Sequence, residues 1–314
     1  MLRLPDSWVW DFWFADDGEQ HHLFFLYASR ALHDPDARHY RASIGHAVSD
    51  DLVHWTRVDD ALVRSDAGAF DDLATWTGSV VQHPDGTWFL FYTGATLEGG
   101  KNVQRIGYAT SHDLLTWTKA TENPVLAADP RWYETLADGQ WHDEAFRDPW
   151  VLADPAGDGW HMLITARGRA GDAFERGLVG HAWSPDLREW ELRAPLSAPG
   201  HGFGQLEVTQ VEEVDGKPVL IFSCLAADMP ERRRAETGGG VWAVPAESLL
   251  GPFDVANAYP LTGREHYSGK LVRDRSGAWR FMAFDHDGPD GAFAGTICDP
   301  LPVAWEGERL VVRH

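Results

Sequence analysis

Cysteine is nearly absent: Cys224 and Cys298 are the only two in 314 residues. Two thiols exclude a disulfide framework and leave at most one bridge, and in their apolar surroundings both read as small buried hydrophobes. Long apolar runs are missing as well. No stretch approaches the roughly 18 apolar residues of a membrane span, and Met1 to Asp6 shows no charged segment leading into an apolar one, so a cytoplasmic protein with no membrane partner is expected. Positive charge is scarce, with 27 Lys and Arg against 48 Asp and Glu and a formal charge of −21. A field of that sign repels phosphates, which argues against nucleic acid as a partner. The 15 His form no His-Glu-x-x-His and no paired Cys/His spacing, and Gly238-Gly239-Gly240 opens a strand rather than a helix, so neither a metal nor another cofactor is expected. Arg232-Arg233-Arg234 lies between Glu231 and Glu236 and reads as a solvated loop. Sustained helical periodicity is also lacking.

What is present is a core-forming 44% of hydrophobic residues and 16 Trp, in short runs rich in Phe, Trp, Val and Tyr. These runs repeat with a period of roughly 60 residues. In each of five copies an opening strand leads to a tight turn and a second apolar strand: Asp17-Gly18 before Leu23 to Tyr27, Asp85-Gly86 before Trp88 to Tyr92, Asp158-Gly159 before Trp160 to Thr165, Asp215-Gly216 before Val219 to Phe222, and Ser276-Gly277 before Trp279 to Phe284. Third strands follow at Ser43 to Ser49, Arg105 to Ser111, Leu178 to Ser184, Gly239 to Pro245 and Phe293 to Cys298. The first three end in the phrase Ser-x-Asp-Leu-x-x-Trp, whose hydroxyl and carboxylate suit a capped turn and whose Trp55, Trp117 and Trp190 suit packing between sheets. Five antiparallel units without intervening helices predict an all-β, five-bladed β-propeller occupying residues 1–314 as one domain, with 127–144 and 226–238 as loops on one face.

Aligning the opening strands places Asp11, Gly78, Asp148, Glu207 and Gly269 at one level around the central channel. Three carboxylates then meet in an axial pocket, with two glycines leaving space for a ligand. Carboxylates in such apolar strands need a partner or a task. Crowding raises the pKa of at least one of them, which supplies the acid and the ionised group that glycoside cleavage requires. Glu207, with its longer reach, suits the acid/base; Asp11 suits the nucleophile or base; Asp148, beside Arg147, suits an ionised group holding sugar hydroxyls. Trp10, Trp13, Trp76 and Trp150 sit beside this chemistry as candidate sugar-stacking faces. In blade 5, His266 and Tyr267 either reach a sugar hydroxyl or pack at the blade entry.

The residues also carry a family likeness. Val9-Trp10-Asp11-Phe12-Trp13 resembles the nucleophile motif of the clan formed by glycoside hydrolase families 32 and 68, the invertases and levansucrases. Phe146-Arg147-Asp148-Pro149 is similar to its Arg-Asp-Pro motif, and Trp76-Thr77-Gly78-Ser79 to its Trp-Ser-Gly-Ser motif, so that Ser79 joins the candidate substrate-binding residues. The resemblance implies a retaining β-fructofuranosidase acting on sucrose or short fructo-oligosaccharides, with transfer to a second sugar as a variant. It implies Asp11 as nucleophile, Glu207 as acid/base and a small neutral saccharide as partner. The chain departs from the clan in Val208-Thr209 after the glutamate and in Trp10 and Phe12 around the aspartate, and the five units account for the residues that an accessory β-sandwich would need. Two alternatives remain: an inverting family 43-like arabinofuranosidase or xylosidase, for which a carboxyl separation of about 6.5–9.5 Å replaces about 5–5.5 Å, and a sugar-binding propeller without turnover.

Overall fold

Local hydrogen bonds account for most of the turns. At the first hairpin Gly18 adopts φ 91° and its amide, with those of Glu19 and Gln20, is taken by the Asp16 and Asp17 carboxylates. The repeated phrase is a capped turn. Ser49 Oγ accepts from the amides of Asp51 and Leu52, Asp51 accepts from Val53 and His54, and Trp55 Nε1 donates to the Leu52 carbonyl. Leu52, Leu114 and Leu187 all take φ between 61° and 65° there, a left-handed conformation held by the surrounding bonds. Trp117 meets Phe24 of the preceding blade edge-on at 5.7 Å, and Trp190 meets Phe91 at 5.3 Å, so these indoles seal the blade-to-blade seams.

The computed structural model describes residues 1–288 and 291–313. Five antiparallel sheets open with the inner strands Ser7–Asp16, Ala74–Gln82, Phe146–Ala153, Glu207–Val214 and His266–Arg273. Each inner strand contacts that of the next blade, and the fifth contacts the first, closing a ring. Blades 1 to 4 have four strands each. In blade 5 the expected third strand is found as Phe293–Ile297, and a further strand, Leu301–Glu306, pairs with the same neighbour, Trp279–Asp287. The ring is fastened where Leu2 and Ile297 exchange backbone hydrogen bonds at 2.9 and 3.0 Å. Among the described residues no helix is long and apolar enough to cross a membrane. Cys224 and Cys298 are free and buried.

The inner strands are not regular. Two residues stand opposite one in four of them: Trp10-Asp11 opposite Leu26, Asp148-Pro149 opposite Ile164, Val208-Thr209 opposite Phe222, and Ser268-Gly269 opposite Ala283; in blade 2 Thr77 is the extra residue. These are β-bulges. Asp148, Val208 and Ser268 there have φ of 57°, 54° and 50°. Each left-handed residue turns its amide toward the preceding blade, onto Thr93 Oγ1 at 2.9 Å, Asp148 Oδ2 at 3.0 Å and Ser223 Oγ at 2.9 Å. The unpaired amide of the bulge thus becomes an inter-blade tie.

This register corrects the expected alignment. Asp11, Gly78 and Gly269 share one level, but Asp148 lies one residue earlier along its strand and Glu207 two residues earlier. The glycines also have another reason. A Cβ on Gly78 would lie 1.9 Å from the Phe91 carbonyl oxygen, and one on Gly269 2.5 Å from the Phe281 ring, so both are required by close packing within their own blades rather than by a ligand.

Candidate active site

The bulges form the floor of a cavity of ≈650 Å³ at the N-terminal ends of the inner strands, within the roughly 300–1,000 Å³ usual for small-molecule sites. Residues before or at the bulge reach it: Trp10 and Asp11, Trp76 and Thr77, Arg147 and Asp148, Glu207 and Val208, and Tyr267. The three carboxylates therefore do converge, from three levels rather than one. Four expected site residues do not reach the cavity. Trp13 is fully buried and stacked on Phe24; Ser79 is spent accepting the Val151 amide at 3.1 Å; Trp150 packs below the floor; all three lie two residues or so beyond the lining positions, roughly 6–7 Å deeper along a strand. His266 precedes Tyr267, and the alternation of the strand turns it aside, toward Phe281 and Asp285.

Asp11 is fixed by neutral donors. Thr77 Oγ1 donates to its Oδ2 and Ser268 Oγ to its Oδ1, one hydroxyl from each flanking blade. Glu207 is fixed by a guanidinium and a phenol: Arg147 Nη2 donates to Oε1 and Tyr267 OH to Oε2. Arg147 is itself oriented by Gln104 Oε1 at 3.1 Å and Gln205 Oε1 at 2.6 Å. Its burial works against its charge, but Glu207, Asp148 and Asp143 outweigh that and push its pKa up. Asp148 accepts from Thr165 Oγ1 at 2.9 Å and from the Val208 amide. Burial pushes its carboxyl up to about 6; Arg147 opposes the rise, while Asp11 and Glu207 add to it.

The rest of the lining comes from loops that motif reading could not place. The expected insertions 127–144 and 226–238 do stand on the cavity side, bringing His142 and Asp143 from one and Asp228 from the other. Asp228 is half-buried and pushed up to about 7, first by desolvation and then by Glu207, against Arg147; Gln205 Nε2 faces it at 3.5 Å. From blade 1 come Arg38, only 7% exposed and 5.5 Å from the Trp10 ring centroid, and His39, whose carbonyl accepts from Trp76 Nε1 at 2.7 Å. Burial, with Arg38 and Arg147 nearby, pulls the His39 imidazole down to about 3, so it is neutral. Among the described residues no group of three or more His, Cys, Asp or Glu is placed to hold a metal ion. A cavity with indole walls, three convergent carboxylates and two buried guanidiniums is equipped for acid/base and nucleophilic work on a neutral polyol.

Comparison with known proteins bears on the family and the fold. The glycosyl hydrolases family 32 N-terminal domain matches residues 13–248. The chain is 32% identical to beta-fructofuranosidase 1 of Zea mays over 238 residues, covering 73% of this chain and 32% of that protein. It spans a third or less of the length of the curated relatives it matches. The fold is shared with an inulosucrase from Halalkalicoccus jeotgali bound to kestose (TM-score 0.79, 22% identity, 99% of this chain and 90% of that one). It is shared too with the Bombyx mori GH32 beta-fructofuranosidase BmSUC1 (TM-score 0.75, 20% identity, 99% and 64%).

Proposed function

The chain belongs to glycosyl hydrolase family 32, and from that premise we propose that it cleaves β-fructofuranosyl linkages of sucrose or short fructo-oligosaccharides with retention of configuration. The observation that carries the reading is the meeting of Asp11, Asp148 and Glu207 in one cavity, with Asp11 held only by the Thr77 and Ser268 hydroxyls. Relatives named beta-fructofuranosidase and fructan 1-exohydrolase support the same chemistry.

In this reading Asp11 attacks the anomeric carbon while Glu207 gives its proton to the departing glycosidic oxygen. The C–O bond to the leaving sugar breaks as the ester to Asp11 forms. The carboxylate that Glu207 becomes is received by Arg147 and Tyr267. Glu207 then takes a proton from water, whose oxygen displaces Asp11 and releases fructose. The hydroxyl of a second sugar in place of water gives fructosyl transfer. Asp148 accepts from ring hydroxyls and faces the positive charge that develops on the ring, and Trp10 and Trp76 wall the pocket.

Incubation with sucrose, kestose and an aryl arabinofuranoside, with products separated by chromatography, tests the substrate class. Fructose is expected without added cofactor; arabinose and no fructose would overturn the reading. Asp11→Asn is expected to lower kcat by about 10⁴-fold or more, since no nucleophile remains to form the ester.

A further inference from the structure

Directly beneath the cavity floor lies a buried cation that this reaction does not use. Lys270 stands one residue past the blade 5 bulge, at the level of Ser79, Trp150 and Gln210, and is 2% exposed. Its Nζ donates to the Val208 carbonyl at 3.3 Å and lies 5.0 Å from the centroid of the Trp150 ring. Val208 is the same residue whose amide donates to Asp148 Oδ2. A single residue of the blade 4 bulge therefore carries the ammonium on its carbonyl and the site carboxylate on its amide.

The groups facing Lys270 are Asp148 from blade 3, Asp11 from blade 1 and Glu212 from blade 4. Asp148 in turn faces Arg147, Asp11 and Glu207, and Glu212 faces Gln210 and Arg273. Glu212 lies two residues beyond Gln210 and Arg273 three beyond Lys270, so charge alternates down the axis: carboxylates at the floor, then Lys270, Glu212 and Arg273. Burial pulls the Lys270 ammonium down to about 8, against the three carboxylates that raise it, and pushes Glu212 up to about 7. An ammonium sealed from water with one carbonyl and one indole as neighbours is costly unless its field is used.

We propose that Lys270 is a positioning residue whose buried charge, carried to Asp148 through Val208, keeps that carboxylate ionised beneath the substrate. The proposal rests on the hydrolase reading above. In Lys270→Met the acid limb of the kcat/KM profile is expected to move up by about one pH unit, with roughly tenfold lower activity on that limb and little change in KM. Glu212→Gln, which leaves the cavity and the Lys270 ammonium in place, is expected to keep the acid limb where the wild type has it. Lys270→Met melting like the wild type with an unmoved acid limb overturns the proposal. If Lys270→Met does not fold, Lys270→Gln, whose amide still donates to the Val208 carbonyl, is read in its place with the same two outcomes. Should the wild type release no fructose, the hydrolase reading fails. Carboxyl-carbon NMR titration then still reads Asp148, identified by the signal missing from Asp148→Asn. Its midpoint rises in Lys270→Met if Lys270 acts as proposed and stays in place if it does not.

Discussion

The two ends of the proposed reaction are held by opposite means. On the side of blades 1, 2 and 5, Asp11 takes its hydrogen bonds from two hydroxyls, which aim its oxygens, while Arg38 and Lys270 act on it from further off. On the side of blades 3 and 4, Glu207, Asp148, Asp143 and Asp228 surround one guanidinium, and there burial and charged neighbours together raise the Asp148 and Asp228 carboxyls. Neutral donors suit an atom that must attack; a charged cluster suits one that must give up and regain a proton.

Three substitutions separate these modes. Arg147→Lys keeps the charge but loses the fork that spans Gln104, Gln205 and Glu207, and kcat/KM is expected to fall about 10²-fold or more, with a distorted pH profile. Ser268→Ala removes one of the two hydroxyls on Asp11; a loss of about tenfold is expected with the pH profile unmoved. A shifted profile in that variant would break the contrast. Asp228→Asn should change activity at pH 6 least, since Asp228 is already largely protonated below about 7. Above that pH its ionised form makes a further negative charge beside it costly and so retains a proton in the cluster. Without it the alkaline limb of kcat/KM is expected to move down by roughly half a pH unit, and no movement would detach Asp228 from Glu207.

Sequence reading recovered what short-range chemistry determines. The Asp-Gly and Ser-Gly turns and the Ser-x-Asp-Leu-x-x-Trp caps are stabilised by residues a few positions apart, and the third strands Ser43–Ser49 and Gly239–Pro245 pair with the strand before them in the chain. Register was not legible, because a bulge slips the strand by one residue without a fixed sequence mark. That slip places Trp13, Ser79 and Trp150 below the floor and distributes the three carboxylates over three levels. Arg38, Asp143 and Asp228 escaped for another reason: they sit on loops whose approach to the cavity depends on the ring. The partial signal for two of them was positional, since 127–144 and 226–238 stood out as insertions.

Ring closure also sets an order of assembly. Asp11 and the Ser268 hydroxyl that aims it are 257 positions apart, and the backbone pairing of Ile297 with Leu2 joins blade 5 to blade 1 across a similar separation. During synthesis Asp11 leaves the ribosome 257 residues before its second partner does. Contacts of such sequence separation form late and slowly. The half-built propeller therefore holds Asp11 by the Thr77 hydroxyl without that of Ser268, and competence for the proposed chemistry arrives with the last blade rather than accumulating blade by blade.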